Sequence, residues 1–344
     1  MTRKKRELLL GLTFTVIVTV ATLAIGEIAL RVITSRHLLY NIEMVKYARQ
    51  LKVRDPRGIV SHVHRPRASA QLMGVQVALN SLGNRGPEIT EPKPPGTRRV
   101  LVLGSSITMG WGVPFDSVFT SVAARQLAER QPFGPDARLE IVNAGIGNYN
   151  TAFQHQLFLD QYPRVRPDLV VLHYFISDAQ PRTMGRDSAI LKHSLLAAFC
   201  FDRLGQVRFR GEKKDLFTLY RDLYDDASPA WQTTREHIAA MRDRCRQDGI
   251  PFAIMILPDI HDLSPGSPYA ALYGKMETAF RSMDVPVVNT FDAFQKRFGV
   301  DVSQVWIQSD DPHPNAAGHS LMAEEFYQFL IRENPLKLPA PARP

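Results

Sequence analysis

The chain has 344 residues, 44% of them hydrophobic and 9% aromatic, enough to bury a sizeable core in one large or two small domains. Half of its formal charge of +8 comes from Arg3, Lys4, Lys5 and Arg6, and the rest is scattered. That distribution reads as a solvated basic surface and argues against nucleic-acid binding, which needs a clustered basic face.

From Leu8 to Gly26 no charged residue occurs, and Leu, Val, Ile, Phe, Ala and Thr dominate. A helix needs about 20 apolar residues to cross a bilayer, so the run is just long enough. The basic residues within 1–7 stay cytoplasmic, which places everything after Glu27 beyond the membrane. A cleaved signal peptide is the competing reading. Its apolar core is usually about 7–15 residues, shorter than this run, and no convincing small-x-small cleavage site precedes Glu27. The expectation is an uncleaved signal-anchor over residues 8–28. The protein is then a single-pass inner-membrane protein with its main domain in the periplasm or otherwise outside the cytoplasm.

Glu27 to Lys52 is expected to continue as helix. Residues 53–97 are rich in Pro, Arg and Gly, with a short strand candidate at Gln71–Leu79, and Glu91-Pro-Lys-Pro-Pro-Gly96 reads as a linker. Residues 29–97 therefore form a membrane-proximal helix and an irregular accessory segment. The main domain spans 98–334, ahead of a Pro-rich tail at 335–344. Within it, Val100–Leu103, Leu139–Val142, Leu169–Tyr174, Phe252–Leu257 and Val285–Val288 read as buried strands. Helical stretches lie at Val118–Arg130, Thr151–Tyr162, Trp231–Asp248, Tyr269–Met283 and Ala316–Arg332. Apolar strands alternating with amphipathic helices imply an α/β fold, a parallel sheet covered by helices on both faces. Residues 179–226, with a helical patch at Ile190–Phe201, break the rhythm. They are expected as an insertion over the carboxyl ends of the strands, where substrates bind in such sheets. Cys200 and Cys245 either pair in an oxidising compartment or are ordinary thiols.

Two distant elements carry the chemistry. Arg99-Val-Leu-Val-Leu-Gly104 drives an apolar strand into a turn bearing Ser105 and Ser106, either of which would expose its hydroxyl at the sheet edge. Near the C-terminus, Asp310-Asp311-Pro312-His313 supplies an imidazole with a carboxylate three residues earlier and another at Asp311. A hydroxyl, an imidazole and a carboxylate are the parts of a Ser-His-Asp hydrolase. A phosphate-cradling loop is the rival for the first element. It fails because Gly104, Gly110 and Gly112 do not fit G-x-G-x-x-G and no Gly-Lys-Ser/Thr follows. His173 reads as a buried strand residue, His62 and His64 show no metal-ligand spacing, and His261-Asp262 follows a strand end. No metal site is indicated.

Four stretches resemble, in order, the blocks of the SGNH/GDSL hydrolases: Gly104-Ser105-Ser106-Ile-Thr-Met-Gly-Trp111-Gly112, Asn143-Ala-Gly-Ile-Gly-Asn148-Tyr-Asn-Thr151, Phe175-Ile-Ser177-Asp178, and Asp310-Asp-Pro-His313-Pro-Asn-Ala-Ala-Gly-His319. The likeness covers about residues 98 to 333, and Asn80-Ser-Leu-Gly-Asn-Arg85-Gly-Pro-Glu88 is similar to the segment preceding the catalytic core in membrane-anchored bacterial members. It implies a three-layer, flavodoxin-like sandwich, a serine esterase and no cofactor. Ser106 becomes the nucleophile, His313 the general base and Asp310 its orienting acid, with Ser105 replacing the family's Asp. The oxyanion hole uses the nucleophile's own N–H, a Gly N–H and an Asn side chain, and this chain has Asn148 and Ser177 at the last two. Asn148 keeps the N–H and tolerates φ > 0. Losing a side-chain donor at Ser177 costs on the order of 2.7–4 kcal/mol. The Asn148 amide is a candidate to replace it, Trp111 to wall a pocket, and Asp178 to order the loops. The implied substrate is an acylated envelope glycan, lipid or small ester, with O-acyl transfer to a polysaccharide, or a catalytically impaired binding module, as alternatives.

Overall fold

The computed structural model describes residues 2–184, 188–209, 215–309 and 311–338, which divide into two compact units. The first comprises residues 2–49 with 188–209. Its helix α1 (Arg3–Arg36) is 34 residues long, with a window of mean hydropathy 2.4, long and apolar enough to cross a membrane. The expected helix from Glu27 to Lys52 is broken. A gap at 37–39 separates α1 from the helix Tyr40–Gln50. The patch expected at Ile190–Phe201 is also two helices, Ala189–His193 and Leu195–Phe209. Glu27 reaches the start of the latter, accepting from the amides of Leu195 (3.1 Å) and Leu196 (2.9 Å) and from Ser194 Oγ. A carboxylate there satisfies amides that the helix itself leaves unpaired. Residues 188–209, expected as part of an insertion over the cleft, thus group with the N-terminal helices.

The second unit holds a five-stranded, wholly parallel sheet. In chain order its strands are β1 (Thr97–Gly104), β2 (Arg138–Gly145), β3 (Leu169–Phe175), β4 (Phe252–Leu257) and β5 (Val287–Asn289), set side by side as β2-β1-β3-β4-β5. All expected strands are present, the last shifted past Pro286. Every residue of β4 is buried, as parallel strands require when helices cover both faces. The covering helices include α2 (Ser106–Met109), α3 (Phe119–Arg130), α4 (Thr151–Val165), α6 (Pro229–Gln247), α7 (Tyr269–Ser282) and α8 (Ala316–Glu333), α5 being Leu195–Phe209 of the first unit. Helix α3 packs on α8 and α4 on α6. Asn150 and Asn315 cap α4 and α8 through their side-chain oxygens. A two-stranded antiparallel ribbon, β6 (Trp306–Gln308) and β7 (Asp311–Pro314), precedes α8. The accessory segment folds as two small antiparallel pairs, Lys52–Val53 with Val63–His64 and Ser69–Leu72 with Val75–Ala78, so the single strand expected at Gln71–Leu79 is mostly half a hairpin. Both cysteines are free, Cys200 exposed and Cys245 buried.

Candidate active site

Because β1, β2 and β3 are parallel neighbours, their carboxyl ends bring the Ser105–Ser106 turn between the segments carrying Asn148 and Ser177. Ser105 is extended and nearly buried, and Ser106 opens α2. Gly104 is required by close approach, since a Cβ there would collide with Thr108 Oγ1 and meet the His173 carbonyl. Gly145 is required on the other side, where a Cβ would strike the Met109 amide. The turn is further pinned by Thr108 Oγ1 to His173 Nδ1 (2.8 Å) and by Asn143 Nδ2 donating to the Thr108 carbonyl (2.6 Å). His173 is thus the buried, bonded residue expected, and burial pulls it down to about 3.

The end of α2 rests on Arg85, a residue whose role could not be read from sequence. Its buried guanidinium donates to the carbonyls of Met109, Gly110, Val113 and Gln76. Burial lowers its pKa to about 10, so it stays charged at neutral pH. The only signal was its place in the Asn80–Glu88 block.

Ser106 Oγ lies 2.9 Å from His313 Nε2. The expected acid, Asp310, lies outside the described residues. The carboxylate that meets His313 Nδ1, at 2.5 Å, is that of Asp311. Its Oδ1 also accepts from the His313 amide at 3.2 Å, and its Oδ2 accepts from Trp111 Nε1 at 2.8 Å. The Asp310 assignment assumes a turn entering a helix, where three-residue spacing shares a face. Asp311–Pro314 is a strand, where residues two apart share a face. Trp111, the candidate pocket wall, is 1% exposed and spends its Nε1–H on Asp311.

Asn148 has φ 69°, the left-handed conformation that Asn tolerates best after Gly. Its Oδ1 accepts from Lys52 Nζ at 2.9 Å, and His62 Nε2 bonds the neighbouring Gly147 carbonyl at 3.0 Å. Desolvation pulls Lys52 down to about 7. The accessory segment therefore braces this loop, a role that nothing in its composition signalled. Ser177 is half-buried in the 3-10 turn Ile176–Ala179. Asp178 ties that turn to α4, accepting from Gln154 Nε2 (2.9 Å) and from the Phe175 amide, and burial pushes it up to about 7. Among the described residues no cluster of three metal-ligating side chains occurs.

The family model described as the GDSL-like Lipase/Acylhydrolase family matches residues 102–321. No curated protein matches the sequence. Similar solved structures include TesA, 17% identical over 70% of this chain and 99% of its own, with a TM-score of 0.44. A two-domain esterase active on acetylated mannans is 16% identical over 72% of this chain and 52% of its own, TM-score 0.44. The lipase/acylhydrolase from Enterococcus faecalis is 15% identical over 69% of this chain and 96% of its own, TM-score 0.40.

Proposed function

From the premise that this chain belongs to the GDSL-like lipase/acylhydrolase family, we propose that it is an ester hydrolase working through an acyl-enzyme on Ser106. The observation that carries this reading is the unbroken series Ser106 Oγ, His313 Nε2, His313 Nδ1, Asp311 Oδ1. His313 takes the Ser106 proton as the oxygen attacks the ester carbonyl, and Asp311 fixes the ring so that Nδ1 carries the hydrogen. The amides of Ser106 and Asn148 receive the oxyanion, with Lys52 steadying the Asn148 loop. His313 then returns the proton to the leaving alcohol, and water, activated by the same imidazole, releases the acid.

The substrate is proposed as an acylated envelope glycan, lipid or small ester. With α1 as an anchor and Arg3 to Arg6 on the cytoplasmic side, the catalytic unit stands beyond the inner membrane. Transfer of the acyl group to a polysaccharide hydroxyl would share every step up to the acyl-enzyme.

A fluorophosphonate probe tests the nucleophile. Labelling of the folded protein is expected, with complete loss in Ser106→Ala. A folded protein that takes no label would leave Ser106 without catalytic function and favour an idle binding module.

A further inference from the structure

Asp259 and His261 repeat, at a second place on the same sheet edge, the geometry of Asp311 and His313. They follow the carboxyl end of β4, which runs parallel to β3 and through it to β1, so their loop opens on the edge that carries Ser106. Asp259 is 2% exposed. Its Oδ1 accepts from the His261 amide at 2.9 Å and meets His261 Nδ1 at 2.5 Å. The His261 side chain is 47% exposed, and among the described residues no partner engages its Nε2. Trp306 stands beside it, ring centroids 6.0 Å apart, its Nε1 fixed on the Ile260 carbonyl at 2.9 Å. Trp306 in turn pairs with Pro314, the residue after His313. Contacts thus link His261 through Trp306 to the strand bearing His313.

Burying a carboxylate to fix an imidazole that stays half in water gains little packing and costs desolvation. What it achieves is one ring nitrogen aimed outward beside a half-buried indole. A flat aromatic face with a directed polar atom suits a sugar ring, whose C–H face lies on the aromatic while a hydroxyl bonds sideways. An acyl chain would need no oriented nitrogen. A phosphate or uronate would need net positive charge, which Asp259 cancels.

We propose that Asp259, His261 and Trp306 form a subsite for a neutral sugar unit of the substrate, next to the ester-cleaving centre. The assignment rests on the hydrolase reading of Ser106, because it names what lies beyond the scissile ester. Asp259 orients the ring, His261 Nε2 bonds a sugar hydroxyl, and Trp306 carries the ring face.

Three tryptophans make the test direct, since Trp111 and Trp231 are 1% and 0% exposed and ligand-induced emission changes report on Trp306. The full-length protein in detergent is titrated with neutral oligosaccharides from xylan, mannan and cellulose. At least one should give a saturable change, with Kd weakened roughly tenfold in His261→Ala and partly recovered in His261→Gln. No saturable change with any of them, or equal affinity in a His261→Ala protein of unaltered melting temperature, overturns the subsite. Fluorophosphonate labelling of the same samples separates the two readings. Label without sugar binding sinks the subsite alone, whereas sugar binding without label sinks the hydrolase chemistry and leaves the sugar site standing.

Discussion

Asp311 is fully buried, with one oxygen on the His313 imidazole and the other on the Trp111 indole. Removing its charge while keeping its shape leaves the imidazole free to take the wrong tautomer. Asp311→Asn should therefore lower kcat/KM by about 10³–10⁴-fold, and Asp310→Asn by clearly less. The opposite order, measured on a chromogenic ester, would return the role to Asp310. Trp111→Phe keeps most of the volume but drops the Nε1–H donor, and should lower kcat by roughly tenfold with little change in KM. The choice between two adjacent aspartates was not legible in the sequence. Both lie within reach of His313 along the chain, and the extended backbone of Asp311–Pro314 puts Asp311 on the His313 face. The choice between Ser105 and Ser106 was similarly open on spacing alone. What favours Ser106 in the proposed reading is that Ser105 is extended and nearly buried while Ser106 faces the imidazole.

At the level of elements, α2 is a single helical turn whose buried end would leave its last carbonyls unpaired. Arg85 supplies the missing donors from a different part of the chain. Arg85→Met should destabilise the protein by about 3–5 kcal/mol, because buried carbonyls lose charged partners, and chemical denaturation would read it as a lower midpoint. An unchanged midpoint would mean that water replaces the guanidinium. The strands and long helices were legible because period-2 and period-3.6 patterns reflect burial on a sheet and a helix face. Residues 53–97 were not. Their shape depends on side chains that bond distant backbone, such as Arg85 on the Val113 carbonyl and His62 on the Gly147 carbonyl, and such bonds leave no periodic trace. The break between α1 and Tyr40–Gln50 leaves no sequence mark either, since no Pro or Gly occupies residues 37–39.

For the whole molecule, four histidines are held neutral by burial: His62, His173 and His319 at about 3, and His64 at about 4. Unfolding restores them to about 6.5, so below that pH the unfolded chain binds more protons than the native one. Their contribution is complete above pH 6.5 and is lost as pH falls toward 4, by up to about 1.4 kcal/mol per proton per pH unit. Asp178, pushed up to about 7, pulls the other way across 3.8 to 7, one carboxyl against these four rings and against His155 and His237, which desolvation also lowers. The melting temperature should therefore fall steadily from pH 7 to pH 4.5. A flat profile would show these rings reaching water. Ser106 sits on a turn welded to the central sheet, whereas His313 rides on a two-stranded ribbon anchored through Trp306 and Asn315. Such a small hairpin can peel away while the sheet stays intact. Rising urea should thus extinguish ester turnover before circular dichroism registers any melting, and dilution should bring activity back at once. The enzyme would be disarmed well before it is denatured.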